Sequence, residues 1–182
     1  MRRGTRGPDH VLTPALPLGE ALHPACLAAV GLLVVNDWLL KPRLAGWLPD
    51  GWRAASGIVT GKLSDLAGLA CAPLLLSAAI GLALAGAARL GLRVEPWLTR
   101  RRLLACLAAT AGVFAAVKLS PAAAGALADG LSRLGPRARI RPDPTDLLCL
   151  PALAVAYLVG RGELACVANR GAPSRPSPDR GA

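Results

Sequence analysis

Two short stretches put a hydroxyl and a carboxylate directly in front of an apolar run. Ser64-Asp65 precedes Leu66, and Thr145-Asp146 precedes Leu147. Lysines stand close by, Lys62 just before the first pair and Lys118 ahead of the second, and Asn36-Asp37 close an uncharged run that starts at Ala21. Two carboxylates brought together can share a proton or hold a cation, whereas a carboxylate beside an ammonium is simply paired. A carboxylate in the first turn of a helix has a third role. There the free N–H groups and the positive dipole end stabilise it by about 0.3–1 kcal/mol. Asp143-Pro144-Thr145-Asp146 reads as cap plus first turn, and Asp65 takes the same helix-entry reading. The candidate binding residues are therefore Asn36, Asp37, Lys62, Asp65, Lys118 and Asp146. They either line a shallow polar pocket or cap and flank helices at an interface.

Other chemistries lack their residues. The five cysteines, Cys26, Cys71, Cys106, Cys149 and Cys166, are scattered singly without a Cys-x-x-Cys pair, and both histidines, His10 and His23, lie near the N-terminus. That argues against a metal set or a disulfide framework and for buried free thiols. There is no Gly-x-Ser-x-Gly, and no upstream glycine makes Gly61-Lys62 a phosphate loop. No cofactor is expected, and an enzyme ranks behind a binding protein.

The elements that must position these residues follow from composition. Of 182 residues, 53% are hydrophobic but only 3% aromatic, with 21 Lys and Arg against 11 Asp and Glu. The mean hydropathy is +0.45. Ala, Leu and Gly predominate, which suits close helix approach in lipid. The basic residues lie between apolar runs and form no zinc-finger, RNP or basic-helix pattern. Nucleic acid is therefore not an expected partner, and charge flanking membrane spans is the better account. The expectation is an all-α polytopic membrane protein with the lipid bilayer as its first partner.

Four spans are predicted: Ala21 to Leu40, Leu66 to Ala88, Leu103 to Val117 and Leu147 to Gly160. The second has the length a hydrocarbon core of about 30 Å demands, and the fourth, 14 residues before Arg161, must borrow Glu163 to Val167 or sit thinly in the bilayer. Lys118 is expected to snorkel to the surface. Trp38, Trp47 and Trp52 mark the turn-rich Arg43 to Thr60 segment as interfacial. Ser120-Pro121 starts a short helix as cap and first residue, and Arg137 to Arg141 is a basic patch suited to headgroups. Ser77, Gly81 and Ala85 stack at four-residue spacing, which admits a neighbouring helix. Met1 to Leu18 and Ala168 to Ala182, rich in Arg, Pro and Gly, read as disordered tails around a membrane domain from Gly19 to Val167. No cleavable signal sequence is recognisable.

Ala25-Cys26-Leu27-Ala28-Ala29 recurs as Ala105-Cys106-Leu107-Ala108-Ala109. Lys41-Pro42 is answered by Ser120-Pro121, and Ser64-Asp65-Leu66 by Thr145-Asp146-Leu147, at nearly the same offset. Three matches in order suggest a duplicated unit, Ala21 to Ala88 and Leu103 to Val167. Each unit holds two spans, so the copies form tandem hairpins crossing the membrane in the same sense, with Asp65 and Asp146 on the same side. Lys and Arg are slightly more numerous in the tails and the Arg89–Arg102 connector, which favours cytoplasmic termini.

Asn36-Asp37 followed by Leu40-Lys41, then Gly61-Lys62-Leu63-Ser64-Asp65-Leu66-Ala67-Gly68-Leu69 and Pro73, resembles a group of uncharacterised bacterial multi-pass membrane proteins. The resemblance covers mainly Val35 to Leu75 and implies no activity. The functional expectation is a binding, structural or assembly component of the bacterial inner membrane, with a protein partner or a second copy of the chain. The alternative is a small carrier or channel using Asp65 and Asp146 as paired helix-entry aspartates.

Overall fold

The computed structural model describes residues 17–47, 49–133 and 140–171. Most of both predicted tails, and Arg137 to Arg139 of the basic patch, lie outside them. Within the described residues every regular element is helical. The order is α1 (Pro24–Val35), a π-helical turn (Asn36–Leu40), α2 (Lys41–Trp47), α3 (Asp50–Arg89), α4 (Arg100–Leu119), α5 (Pro121–Ser132), a 3₁₀ segment (Pro144–Ala152) and α6 (Leu153–Gly171). Among the described residues, four helical stretches are long and apolar enough to cross a membrane: Pro24–Leu44, Ala55–Arg89, Arg100–Leu119 and Pro144–Ala168. Together they make this a multi-pass membrane protein.

Local chemistry sets most boundaries. His23 caps α1, its Nδ1 accepting from the Ala25 N–H, with Pro24 in the first turn. Pro42 has no N–H to offer Trp38, and the turn before it widens so that the Lys41 N–H reaches the Asn36 carbonyl. α3 ends in a Schellman motif. Gly91 adopts φ +89°, and the N–H groups of Leu92 and Gly91 reach the carbonyls of Ala87 and Ala88. Thr99 caps α4, and Ser120 caps α5 ahead of Pro121, as the sequence indicates. Asp143 caps the 3₁₀ segment. Pro151 removes a donor and obstructs the carbonyl four residues earlier, which keeps this turn from settling into α geometry.

Two expectations need correction. Asp65 does not enter a helix: α3 begins at Asp50, so Asp65 stands mid-helix with no free N–H groups around it. The dipole and capping account therefore fails there, although it holds for Asp146, in the first turn of its segment. Nor is the Arg43 to Thr60 segment turn-rich, since α2 and the first turns of α3 occupy nearly all of it. The fourth span takes the longer of its two expected forms: a 3₁₀ segment rising about 2 Å per residue leads into α6, which continues past Arg161 and Glu163 to Gly171.

α1, α3, α4 and α6 meet around Cys26, Cys71, Leu74, Leu103, Ala156 and Val159. Small residues allow the approach: a Cβ on Gly160 would stand 2.5 Å from Leu103 Cδ1. Cys26, Cys71, Cys106 and Cys149 are buried free thiols, while Cys166 is exposed. Ser77 and Gly81 are also packed, and what approaches them is the first turn of α4 together with the connector before it. A Cβ on Gly81 would lie 3.1 Å from the Pro96 carbonyl and 3.2 Å from the Arg102 guanidinium. The connector after α3 thus folds back along it. Meanwhile Leu27, Leu75, Leu82, Leu104 and Leu158 point outward. Exposed leucines around buried polar groups suit a lipid surrounding.

Candidate functional site

The six candidate residues fall into two adjoining clusters at the same end of the bundle, hinged on Ser64 and Asp65. Asn36 and Asp37 come from the π-helical turn. Lys62, Ser64 and Asp65 come from α3, Lys118 from the last turn of α4, and Asp146 from the 3₁₀ entry to the fourth span.

The first cluster is built on one hydroxyl. Ser64 Oγ donates to Asp37 Oδ1 at 2.7 Å and accepts from Asn36 Nδ2 at 2.7 Å and Lys41 Nζ at 3.0 Å. Lys41 Nζ also meets Asp37 Oδ1 at 2.6 Å, one turn apart. Asn36 is fully buried, and its amide donates a second time to the Thr60 carbonyl at 2.7 Å. Its own Oδ1 is buried without a hydrogen-bond partner among the described residues. The π-helical turn and the polar stripe Thr60–Ser64 are thereby locked together.

The second cluster alternates in charge. Lys118 Nζ holds Asp65 Oδ2 at 2.7 Å and Asp146 Oδ2 at 2.6 Å. Lys62 Nζ takes the other oxygen of Asp146 at 2.9 Å and the Thr145 hydroxyl at 2.9 Å. Thr145 in turn donates to Asp143 Oδ1 at 2.8 Å. Those hydrogen bonds from Thr145 hold the Asp143 carboxyl below its ordinary range. Lys118 also lies 5.3 Å from the centroid of Phe114, within cation–π reach. Its side chain is only 12% exposed. The predicted snorkelling is therefore replaced by capture between two carboxylates.

This arrangement binds three elements through an alternating lattice of two ammoniums and two carboxylates. The aspartates do converge, but on a shared lysine, so their charge is compensated within the protein. No group of three or more His, Cys, Asp or Glu able to hold a metal occurs among the described residues.

A further polar set escapes the sequence reading. Ser77 Oγ donates to Glu20 Oε1 at 2.9 Å and accepts from Arg102 Nε at 3.2 Å. Arg102 also donates through Nη1 to the Pro96 carbonyl at 2.9 Å. The side chains of Glu20 and Arg102 are 2% and 9% exposed, with 3.7 Å between Glu20 Oε1 and Arg102 Nη2. A signal for it existed. Glu20 stands just before the first span, on the side assigned to the five-arginine connector, where a lone carboxylate needs a basic partner.

No protein-family model, curated protein or solved structure matches this chain.

Proposed function

We propose that this protein is a non-enzymatic component of the bacterial inner membrane that acts by binding, as a structural or assembly element, with both termini in the cytoplasm. The observation that carries the reading is Lys118 holding Asp65 and Asp146 at 2.7 and 2.6 Å. A carrier that moves a proton or cation through these carboxylates needs them free of a resident ammonium in some state. A clamp needs them compensated, as they are here. Trp38, Trp47 and Trp52 are exposed at the same end and suit anchorage in the headgroup layer.

The duplicated-hairpin reading draws support from the two hydroxyls at matching positions. Ser64 and Thr145 each accept from a lysine and donate to an aspartate, Lys41 and Asp37 for Ser64, Lys62 and Asp143 for Thr145, with Lys62 reaching across from the first unit. Each unit also runs span, short helix, span.

Proteoliposomes loaded with a pH-sensitive or cation-sensitive dye test the proposal. The expected result is no flux above that of empty vesicles, for wild type and Asp65→Asn alike. Flux that Asp65→Asn or Asp146→Asn abolishes overturns it in favour of the carrier or channel. Reporter fusions test the topology, with the Arg89–Arg102 connector expected in the cytoplasm and the α2 region outside.

A further inference from the structure

A cleft of about 510 Å³ runs between α3 and α4, with Leu127 of α5 and Ile140 over it. Along α3 its wall is Gly68, Ala72 and Leu76; along α4 it is Ala109, Val113 and Phe114. From Asp65 to Leu76 this spans about 16 Å of helix at ~1.5 Å per residue. Leu76, Leu127 and Val113 are exposed, so the cleft opens toward the surrounding lipid. The space beside Gly68 is unfilled, for an added Cβ there meets nothing within 4 Å. Only one end is charged, where Asp65 and Lys118 line the mouth side by side with Ser64.

We infer that this cleft holds one acyl chain of a zwitterionic aminophospholipid, with the headgroup seated at the Asp65–Lys118 mouth. An apolar wall of this length offers a polar solute no partners and would cost it its hydration. A hydrocarbon chain entering from the bilayer loses nothing and gains packing against both helices. The mouth selects the headgroup. It presents one carboxylate and one ammonium, so a headgroup carrying both an ammonium and a phosphate finds a partner for each. An anionic headgroup without an amine brings no ammonium for Asp65 to hold. The inference rests on the membrane-spanning reading alone and holds whether the protein works as an assembly element or as a carrier.

Native mass spectrometry of the full chain, released from vesicles of equimolar phosphatidylethanolamine and phosphatidylglycerol with matched chains, tests it. One phosphatidylethanolamine is expected to stay bound, at least fivefold over phosphatidylglycerol. Gly68→Leu fills the cleft without touching the charged mouth, and is expected to abolish that adduct while the unfolding midpoint holds or rises. Ala109→Leu, from the opposite wall, is expected to do the same and serves if Gly68→Leu folds poorly. Asp65→Asn is expected to erase the preference and leave the adduct. No retained lipid, equal retention of the two lipids, or an adduct that survives both cleft-filling substitutions overturns the inference. Ion flux through the same vesicles would instead count against the assembly role.

Discussion

The two ends of the bundle solve the same problem in different ways. At each, a serine of α3 has its hydroxyl between an acid and a base: Ser64 between Asp37 and Lys41, Ser77 between Glu20 and Arg102. At the Ser64 end the charges continue into a lattice with lysine–aspartate distances of 2.6–2.9 Å. At the Ser77 end a single acid faces a single base at 3.7 Å, more deeply buried, and Arg102 Nη2 has no hydrogen-bond partner among the described residues. Compensation by several neighbours tolerates some exposure. A single acid–base pair out of solvent leans on few contacts, here the opposite charge, the Ser77 hydroxyl and the Pro96 carbonyl, and these must offset its desolvation.

The largest effect is expected where one residue compensates two others. Lys118→Met leaves Asp65 and Asp146 facing each other, and a broken buried pair costs about 3–5 kcal/mol. Denaturant titration in mixed micelles should show this loss, and Asp65→Asn in the same chain should recover part of it. A negligible loss would mean that the lattice does not clamp the helices. Arg102→Met comes next, stranding Glu20 at a similar cost of about 3–5 kcal/mol. Adding Glu20→Leu should restore wild-type stability or exceed it, since a well-packed apolar replacement of an ion pair is often neutral or stabilising. Failure of that rescue would show the Ser77 end to be more than a single pair.

Smaller effects separate the hydroxyls. Ser64→Ala removes the acceptor of two donors and the donor to Asp37, and about 1–3 kcal/mol is expected from the polar groups left bare. The smallest effect belongs to Asp143→Ala. With its carboxyl held below the ordinary range, Asp143 contributes stability above the unfolded-state value near ~3.9. That contribution fades as pH falls through the lower folded-state value. The gap between wild type and Asp143→Ala should be constant at neutral pH and close in strong acid. A gap that instead widens on acidification would contradict the Thr145 interaction.

How much of this could be read from the chain depends on the residue. Asp143-Pro144-Thr145-Asp146 announces a cap and first turn, and the structure has both. Ser120-Pro121 does so equally well. Asp65 misleads because Gly61-Lys62 and the charge beside it resemble a chain leaving water, yet no proline interrupts α3 between Asp50 and Pro73. A subtler pattern was present, for Ser56, Thr60 and Ser64 repeat at four-residue spacing and mark a helical polar stripe. Thr60 and Ser64 are the two residues that receive Asn36. Joining Lys118 to both aspartates needed the third dimension, since 53 and 28 positions separate the partners.

Ser64 and Ser77 lie thirteen residues apart on one uninterrupted helix, which sets their hydroxyls about 20 Å apart along its axis. The oily layer of an ordinary membrane measures ~30 Å. With Ser64 at one surface of that layer, Ser77 lies about two-thirds of the way across it, and the outward-facing Ile80 and Leu82 continue beyond. The acid and base held there have no water to turn to, so the protein itself must supply their hydrogen bonds.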